Sequence, residues 1–579
     1  FWSRDGKYIL YVQDKGGDEN FNVYAVDPSA PNEAGMDIPK NRALTDYKGV
    51  RTLIYAVPKS DPDAMYIGLN DRDKAWHDLY KLRISTGEKE LLRQNNATDR
   101  ITGWIFDWDD QLRLATRANL DGSNELLLVQ GANLKPIYQT GPFENFNVYA
   151  FDKANQKVYM ATNKGERDLE ELVLFDPQSS EETLVERDPK KKVDFGNAAF
   201  SDVSKDLIYT SYTNDKETLY WKNKSFEQDY NRIRKQLPGA ELSFNNSTKD
   251  ENKWLLTAYS DTDPGAVYLY DRRTKKLTFQ YRPRPGIPRN ALSPMTTVRY
   301  PSSDGLEIPA YLVLPKGLPA KNLPLVVFPH GGPWARDVWG YHSYAQFLAN
   351  RGYAVLMPNF RGSTGYGKKF LDAGNREWGQ KMQDDITWGV KYLIAEGIAN
   401  PKKVGIMGGS YGGYATLAGV AFTPDLYSAA VAIVAPSNLM TLLNSIPPYW
   451  ESFRKVFHLR MGDPTTEEGK AQLVKQSPLT SADKIKTPLM VVQGANDPRV
   501  NQAESEQIVA ALRKRGFPVE YLLAPDEGHG FARPDNNMAM LAAAEKFLAT
   551  YIGGRYQTGM TPAVAKRLKE ITVDTKKPF

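Results

Sequence analysis

The stretch Val404-Gly405-Ile406-Met407-Gly408-Gly409-Ser410-Tyr411-Gly412-Gly413-Tyr414-Ala415 decides the fold. An apolar run, Val404 to Met407, reads as a buried strand, and the small residues from Ala415 to Val420 read as a helix. Between them, a serine flanked by glycines has the form of a nucleophile elbow. A sharp strand-to-helix turn holds such a serine in strained backbone geometry, and glycines on either side let the neighbouring chain pass close enough to leave its Oγ exposed.

Outward from this point the second half of the chain keeps one grammar. Leu323 to Pro329 and Ala354 to Pro358 are near-continuous apolar runs, as expected of strands buried on both faces of a parallel sheet. Further strands are expected at Val404 to Met407, Ala429 to Val434, Leu489 to Gln493 and Val519 to Leu523. Helices fall between and after them, at Tyr344 to Ala349, Asp384 to Glu396 and Met538 to Tyr551. Alternation of this kind is a doubly wound, mostly parallel α/β sheet, and with the elbow at its centre an α/β-hydrolase domain is the expectation.

The first half reads differently. Short alternating runs rich in Tyr, Val, Leu and Thr are separated by polar turns, the pattern of an all-β region. Pairs such as Tyr8 to Tyr11 with Asn22 to Tyr24, and Trp254 to Leu256 with Val267 to Leu269, form six hairpin-like units. They recur at roughly 45 to 55 residues, the spacing of four-stranded propeller blades. Pro283, Pro285, Pro288 and Pro294 punctuate the change, which places a β-propeller at residues 1–285 and a catalytic α/β-hydrolase domain at 286–579. Phe1 to Lys7 reads as the middle of a blade, so a longer chain with seven or eight blades is the expectation.

Composition narrows the chemistry. The chain has 579 residues, no Cys, and 74 Lys plus Arg against 69 Asp plus Glu. A net charge of +5 without like-charge blocks gives no footprint for nucleic acid. Without cysteine there is no thiol nucleophile and no thiolate metal site. No run of about 18 apolar residues suggests a membrane span. No His/Asp grouping has ligand spacing, so neither metal nor organic cofactor is expected. The glycines of Arg361-Gly-Ser-Thr-Gly-Tyr-Gly367 read as a loop after a strand.

A serine nucleophile needs a base, and the base needs an orienting carboxylate. In an α/β-hydrolase these follow the serine in the order acid then histidine. Of five histidines, His529, in Asp526-Glu527-Gly528-His529-Gly530, follows the strand ending at Leu523. Asp497, in Asn496-Asp497-Pro498-Arg499, ends the preceding strand and is the chosen acid over Asp526 and Glu527. His458 precedes any suitable acid. His330-Gly331-Gly332-Pro333 follows the strand at Val326 to Phe328, where one half of an oxyanion hole belongs. The Tyr411 N–H and the Gly332 N–H, with Gly331 as the rival to Gly332, are the expected donors, and the His330 ring is the expected anchor.

Together Ser410-Tyr-Gly-Gly-Tyr414, His330-Gly-Gly-Pro333, Pro358-Asn-Phe-Arg-Gly362, Asn496-Asp-Pro-Arg499 and Glu527-Gly-His-Gly530 resemble the prolyl oligopeptidase family of serine peptidases. The resemblance is nearest to the acylaminoacyl-peptidase-like branch that includes bacterial dipeptidyl peptidases. It implies hydrolysis of short peptides through an acyl-enzyme, with acylaminoacyl-peptidase or dipeptidyl-peptidase specificity. An oligopeptide endopeptidase, an esterase with the same triad and a non-catalytic propeller scaffold stand as alternatives. It also implies that Arg499 holds the P2 carbonyl and that Met440 and Leu443 stand where proline-specific members carry aromatic walls. With Val500 and Tyr411 completing the pocket, a broad hydrophobic P1 preference is expected. Family dipeptidyl peptidases hold the substrate amine with propeller acids, for which Glu170-Glu171, Glu181-Glu182 and Gly17-Asp18-Glu19-Asn20 are candidates. A periplasmic or secreted location is implied, with a cytoplasmic one as the alternative. The tail from Gly554 is expected to be a solvated, partly ordered end. Its basic run Lys566 to Lys569 offers a surface for a second copy, a homo-oligomer being the one protein partner left open.

Overall fold

The structure is a computed structural model, and it describes residues 1–577. Six antiparallel sheets follow one another from Ile9 to Tyr281, each a simple up-and-down meander. Blade 1 comprises Ile9–Gln13, Asn22–Val26 and Asn41–Ala43, with an isolated bridge from Trp2 to Ile9 beyond it. Blades 2, 3, 4 and 6 have four strands each, starting at Thr52, Ile101, Phe146 and Glu241; blade 5 has three, starting at Asn197. The described residues thus carry six blades, where seven or eight were expected of a longer chain.

Blades are joined by apolar clusters, not by shared strands. Leu10, Val23 and Leu44 of blade 1 pack with Met65 and Ile67 of blade 2, and Leu126, Leu128 and Tyr138 of blade 3 pack with Met160 and Phe175 of blade 4. The all-β reading of this half missed one helix, Lys224–Gln236. It is capped by Asn223 Oδ1, which accepts from Ser225 N and Phe226 N. Its residues Phe226, Tyr230, Ile233 and Leu237, spaced four, three and four apart, pack on Trp254 and Tyr270 of blade 6. That is the periodicity of one helical face, hidden in sequence by the surrounding charged residues.

Downstream, eight strands form one sheet: β1 (Met295–Pro301), β2 (Glu307–Val313), β3 (Leu323–Val327), β4 (Ala354–Pro358), β5 (Ala399–Gly409), β6 (Ala429–Ile433), β7 (Leu489–Gly494) and β8 (Val519–Ala524). Their order is β1-β2-β4-β3-β5-β6-β7-β8. The pairs β1–β2 and β2–β4 are antiparallel and the rest parallel. Every residue of β4, β6 and β7 is buried, because helices cover both faces. Helices α1 (Ser343–Asn350), α2 (Lys381–Ala395), α3 (Tyr411–Phe422), α4 (Gln502–Lys514) and α5 (Pro534–Ile552) divide between the two cores. One core gathers Ile386, Val390, Leu417, Ile508 and Leu512; the other gathers Leu348, Met540, Phe547 and Leu548. The tail expected to be loose instead forms α6 (Pro562–Ile571), whose Val564 and Ile571 are buried in the second core. Thr572 bridges to Leu522 and the Val573 N–H bonds the Tyr521 carbonyl, so the tail docks at the β8 edge.

Propeller and sheet meet through many polar contacts. Arg336 donates to the carbonyls of Thr213 and Asn214 at 2.8 Å each, and Lys368 donates to the Gly165 carbonyl at 2.7 Å. Near the strand tops the Asn496 amide donates to the Gly16 carbonyl at 2.8 Å.

The elbow between β5 and α3 depends on glycines at particular places. A Cβ on Gly408 would stand 2.5 Å from the Gly412 carbonyl oxygen, one on Gly412 would stand 2.1 Å from the Pro329 carbonyl oxygen, and one on Gly413 would stand 2.7 Å from the Ile433 carbonyl oxygen. At Gly409 the nearest atom would be 3.9 Å away. Gly408→Ala and Gly412→Ala are therefore expected to destabilise the protein by about 1–3 kcal/mol each through overpacking. Gly409→Ala should stay within about 0.5 kcal/mol of the parent. Thermal unfolding of the three variants checks this, and equal effects at all three positions would contradict it.

Candidate active site

Ser410 sits where β5 hands over to α3, with φ 58° and ψ −122°. A non-glycine residue held at positive φ stores strain that the surrounding structure must impose. Here the imposition is visible: the Ser410 N–H bonds the Ile433 carbonyl at 2.9 Å, while the first turn of α3 is wedged against Pro329 by the glycines. Its Oγ lies 2.9 Å from His529 Nε2. His529 Nδ1 lies 2.7 Å from Asp497 Oδ2, and Asp497 Oδ1 accepts the N–H groups of Arg499 and Val500 at 2.9 Å each. The Asp497 side chain is closed off from solvent, so all its fixed partners are protein groups and the His529 ring has one orientation to adopt.

The loops that carry His529 and Asp497 are packed backbone to backbone. A Cβ on Gly494, at the end of β7, would meet the Gly528 carbonyl oxygen at 2.0 Å, and a Cβ on Gly528 would meet the Gly17 carbonyl oxygen of the propeller at 1.9 Å. Gly528 is thus pressed between the sheet and blade 1, directly beside His529. The rival acids are engaged elsewhere. Glu527 is buried and accepts the Ala532 and Arg533 N–H groups at 3.1 and 2.8 Å; Asp526 pairs with Arg567 of α6 and with Arg533.

On the other side of Ser410 lies the loop after β3. The His330 ring is buried, stacks on Phe360 with centroids 4.3 Å apart, donates from Nδ1 to the Gly331 carbonyl at 2.7 Å and accepts at Nε2 from the Ser363 hydroxyl at 2.8 Å. Burial pushes its pKa down to about 4, which keeps the ring neutral and this bonding pattern intact near neutrality. A Cβ on Gly331 would stand 3.4 Å from Ser410 Cβ. Gly332 lines the same cavity as Ser410, Tyr411 and His529. The Tyr411 N–H opens α3, where amides have no carbonyl four residues back. The remaining histidines lie apart: His342 caps α1, His458 faces Asp463 at 3.5 Å, and His77 is buried in blade 2.

The cavity over Ser410 has a volume of about 370 Å³. Leu443 and Val500 are in its wall as expected, with Arg499 on its rim, but Met440 is not; it packs on the core beneath. In the six-residue helix Leu439–Asn444, neighbouring positions project about 100° apart, and the face that turns to the cavity carries Leu442 and Leu443. The strongest features of the wall are aromatic and were missed: Trp334, Trp378, Trp450, Phe453 and Phe457. The density of rings in Pro447-Pro448-Tyr449-Trp450-Glu451-Ser452-Phe453 was the available signal.

Arg499 faces Glu19 of blade 1, with Nε and Oε1 2.6 Å apart. The Arg499 Nε–H is not aligned on that oxygen and finds no other hydrogen-bond acceptor among the described residues, so the contact is one of charge. Glu19 Oε2 is 3.3 Å from Arg51 and accepts from the Tyr449 hydroxyl at 3.2 Å. Glu19 is itself buried and held at φ 57°. Of the other candidate acids, Glu171 and Glu182 pair with Arg167, Glu181 is exposed, and Glu170 accepts from the Asn145 amide at 3.0 Å.

These features have counterparts in known proteins. A sequence profile of the prolyl oligopeptidase family matches residues 339–555. Dipeptidyl aminopeptidase BIII of Pseudoxanthomonas mexicana is 40% identical in an alignment covering 100% of this chain and 86% of the relative. The chain belongs to the prolyl oligopeptidase family. Dipeptidyl peptidase family member 6 of Caenorhabditis elegans is 36% identical over 96% of this chain and 79% of its own length. The acylamino-acid-releasing enzyme of Sus scrofa is 29% identical over 43% and 34%. Among solved structures, a Mycobacterium tuberculosis puromycin-hydrolyzing peptidase superposes with a TM-score of 0.74 at 19% identity, covering 95% of this chain and 86% of that one. The acylaminoacyl peptidase of Pyrococcus horikoshii gives 0.67 at 18% identity, over 97% and 89%. Both share the arrangement of a propeller followed by an α/β-hydrolase sheet, and this chain is a peptidase of that family.

Beside the loop that follows Gly332, Asp337 carries a carboxyl oxygen, Oδ2, that is buried without a partner among the described residues. Burial pushes its pKa up to about 7, against the pull of the Arg336 charge. An acid whose folded pKa is raised contributes stability that is fully present below its unfolded pKa of about 3.9 and is lost as pH rises through 7. Asp337→Asn is thus expected to match the parent near pH 4 and to gain several degrees in melting temperature over it by pH 8. A melting-temperature difference that shrinks over that range would contradict it.

Proposed function

We propose that this chain is a serine exopeptidase that releases dipeptides from the free N-terminus of short peptides, with a broad hydrophobic P1 preference. The observation that carries the reading is the Glu19–Arg499 contact at 2.6 Å on the rim of the pocket that holds Ser410. An exopeptidase must recognise a chain end, and a carboxylate is the group that selects an ammonium. Glu19 keeps acceptor capacity on Oε1 because a carboxylate oxygen carries two lone pairs and a single cation, Arg499, faces it there. Arg499 in turn has N–H groups to offer the P2 carbonyl. Identity over nearly the full chain to two proteins named as dipeptidyl peptidases points the same way.

In this reading Ser410 attacks the scissile carbonyl while His529 takes its proton, and the oxygen that becomes negative accepts from the Tyr411 and Gly332 N–H groups. Such preorganised donors contribute about 3 kcal/mol each to stabilising the transition state. Asp497 holds His529 in the Nδ1–H tautomer and stabilises its cation. The imidazolium then protonates the leaving amine, and water hydrolyses the acyl-enzyme by the same path reversed. Leu443, Val500 and the five aromatic side chains make an apolar P1 pocket too wide to select proline alone. We place the division between the two domains at residues 285 and 286. Export to the periplasm or medium is the compartment we propose from the family resemblance; no helix of the described residues is long and apolar enough to cross a membrane.

Two outcomes are expected. Ser410→Ala should remove both peptide hydrolysis and labelling by an organophosphonate, with the fold retained by circular dichroism; retained labelling would overturn the nucleophile assignment. Glu19→Gln should lower kcat/KM on a free dipeptidyl chromogenic substrate by roughly ten- to hundred-fold, the worth of one charge-assisted hydrogen bond. The N-acetylated form of the same substrate should change far less. A parent enzyme that prefers the acetylated substrate would favour the acyl-recognising alternative instead.

A further inference from the structure

Trp334, Phe453 and Phe457 line two cavities, the pocket over Ser410 and a second one of about 580 Å³ between the propeller and the sheet. The second is walled by blade 4 and the segments on either side of it, including Glu144, Glu170 and Asp194, and across from them by Lys368 and Arg460 of the hydrolase half. Most of these charges are already committed. Glu144 accepts the N–H groups of Gly141 and Gly165 at 2.8 and 2.7 Å and lies 3.9 Å from Lys368. Asp194 accepts from the N–H groups of Glu170 and Gly367 at 2.9 and 3.1 Å. Lys368 donates to the carbonyls of Gly165 and Asn163, and Arg460 pairs with Asp372 at 3.0 Å. Glu170 alone of these carboxylates has neither a cation nor a backbone amide on it; its one side-chain bond among the described residues is from the Asn145 amide to Oε1, at 3.0 Å. Desolvation, with the neighbouring Asp194 charge, raises its pKa to about 7, as expected of a carboxylate lacking a counter-ion.

The proposed reading of the active site fixes the direction of the peptide. Its amine is held at Glu19 and Arg499 and its P1 side chain fills the first cavity, so the chain beyond the cut leaves past Trp334, which follows Gly332 and Pro333, into the second. Resting on that peptidase reading, we propose that Glu170 is a specificity-determining residue that takes the ammonium or guanidinium of a Lys or Arg side chain one or two residues after the cleaved bond. The aromatic rings shared by both cavities would flank the aliphatic stem of that side chain, and Glu170 would take its charge.

The test is a set of free-amine peptides sharing their first two residues and differing only at the first or second residue after the cut, which is Lys, Leu or Glu. For the parent, kcat/KM should fall in the order Lys, Leu, Glu, with Lys over Glu by about a hundred-fold, two tenfold steps of one charge contact each. Glu170→Gln should shrink that ratio at least about tenfold and Glu170→Lys should invert it, each variant being counted by phosphonate titration of Ser410 so that only folded sites enter the rates. Cleavage by the parent with equal rates on all three peptides would overturn the proposal while leaving the peptidase reading intact. A charge preference that survives both substitutions unchanged, or that follows the residue before the cut instead, would overturn it equally. Absence of cleavage of any peptide by the parent would overturn the peptidase reading, and this assignment with it.

Discussion

Everything at this site follows from one constraint, the close approach of α3 to the tops of β3, β5 and β6. Carbonyl oxygens of Pro329 and Ile433 lie where side chains on Gly412 and Gly413 would have to be, and Ser410 is forced to φ 58° in the turn between. The strained serine is held by contacts that glycine alone permits. The same approach sets Gly331 against Ser410 and opens the first turn of α3, with its unpaired N–H groups, toward the pocket. Ser410 and the amides proposed as oxyanion donors are therefore placed by one packing event.

A second close approach places His529, the proposed base. Gly494 and Gly528 bring the acid loop and the histidine loop into backbone contact, and Gly17 of blade 1 presses on Gly528 from the opposite side. Asp497 has its carboxylate filled by two backbone N–H groups and His529, so the ring is oriented by a group that is itself fixed. Asp526, a weaker rival for the acid because it stands so close to His529 in sequence, is drawn away by Arg567 of the last helix. The C-terminal segment thus holds the loop that carries His529 through Arg567 and Asp526.

The propeller does more than cover the strand tops. One of its loops brings Glu19 into contact with Arg499, and blade 4 brings Glu170 to a cavity that shares three aromatic residues with the pocket. Both carboxylates come from a half of the chain with no catalytic motif of its own. The chemistry is set by the sheet, and the recognition we propose is set by where the two halves meet.

Periodicity and motif spacing were enough to read two architectures, the strands of the parallel sheet and the order serine, acid, histidine, because each depends on local pattern: alternation along a strand, glycines beside a turn, loops after successive strands. The helix at Lys224–Gln236 and the docked helix Pro562–Ile571 escaped because their apolar faces are short and set among charges, and packing on blade 6 and on β8 supplies what local pattern did not. Met440 and Leu443 are three residues apart, and nothing in their order says which lines the pocket; the rotation of one short helix decides it. The five rings of the pocket wall come from segments as distant as Trp334 and Phe457, and Glu19 meets Arg499 across nearly the whole chain. Such contacts have no signature in sequence spacing. They exist only once burial of the sheet and the blades has fixed where each loop must lie.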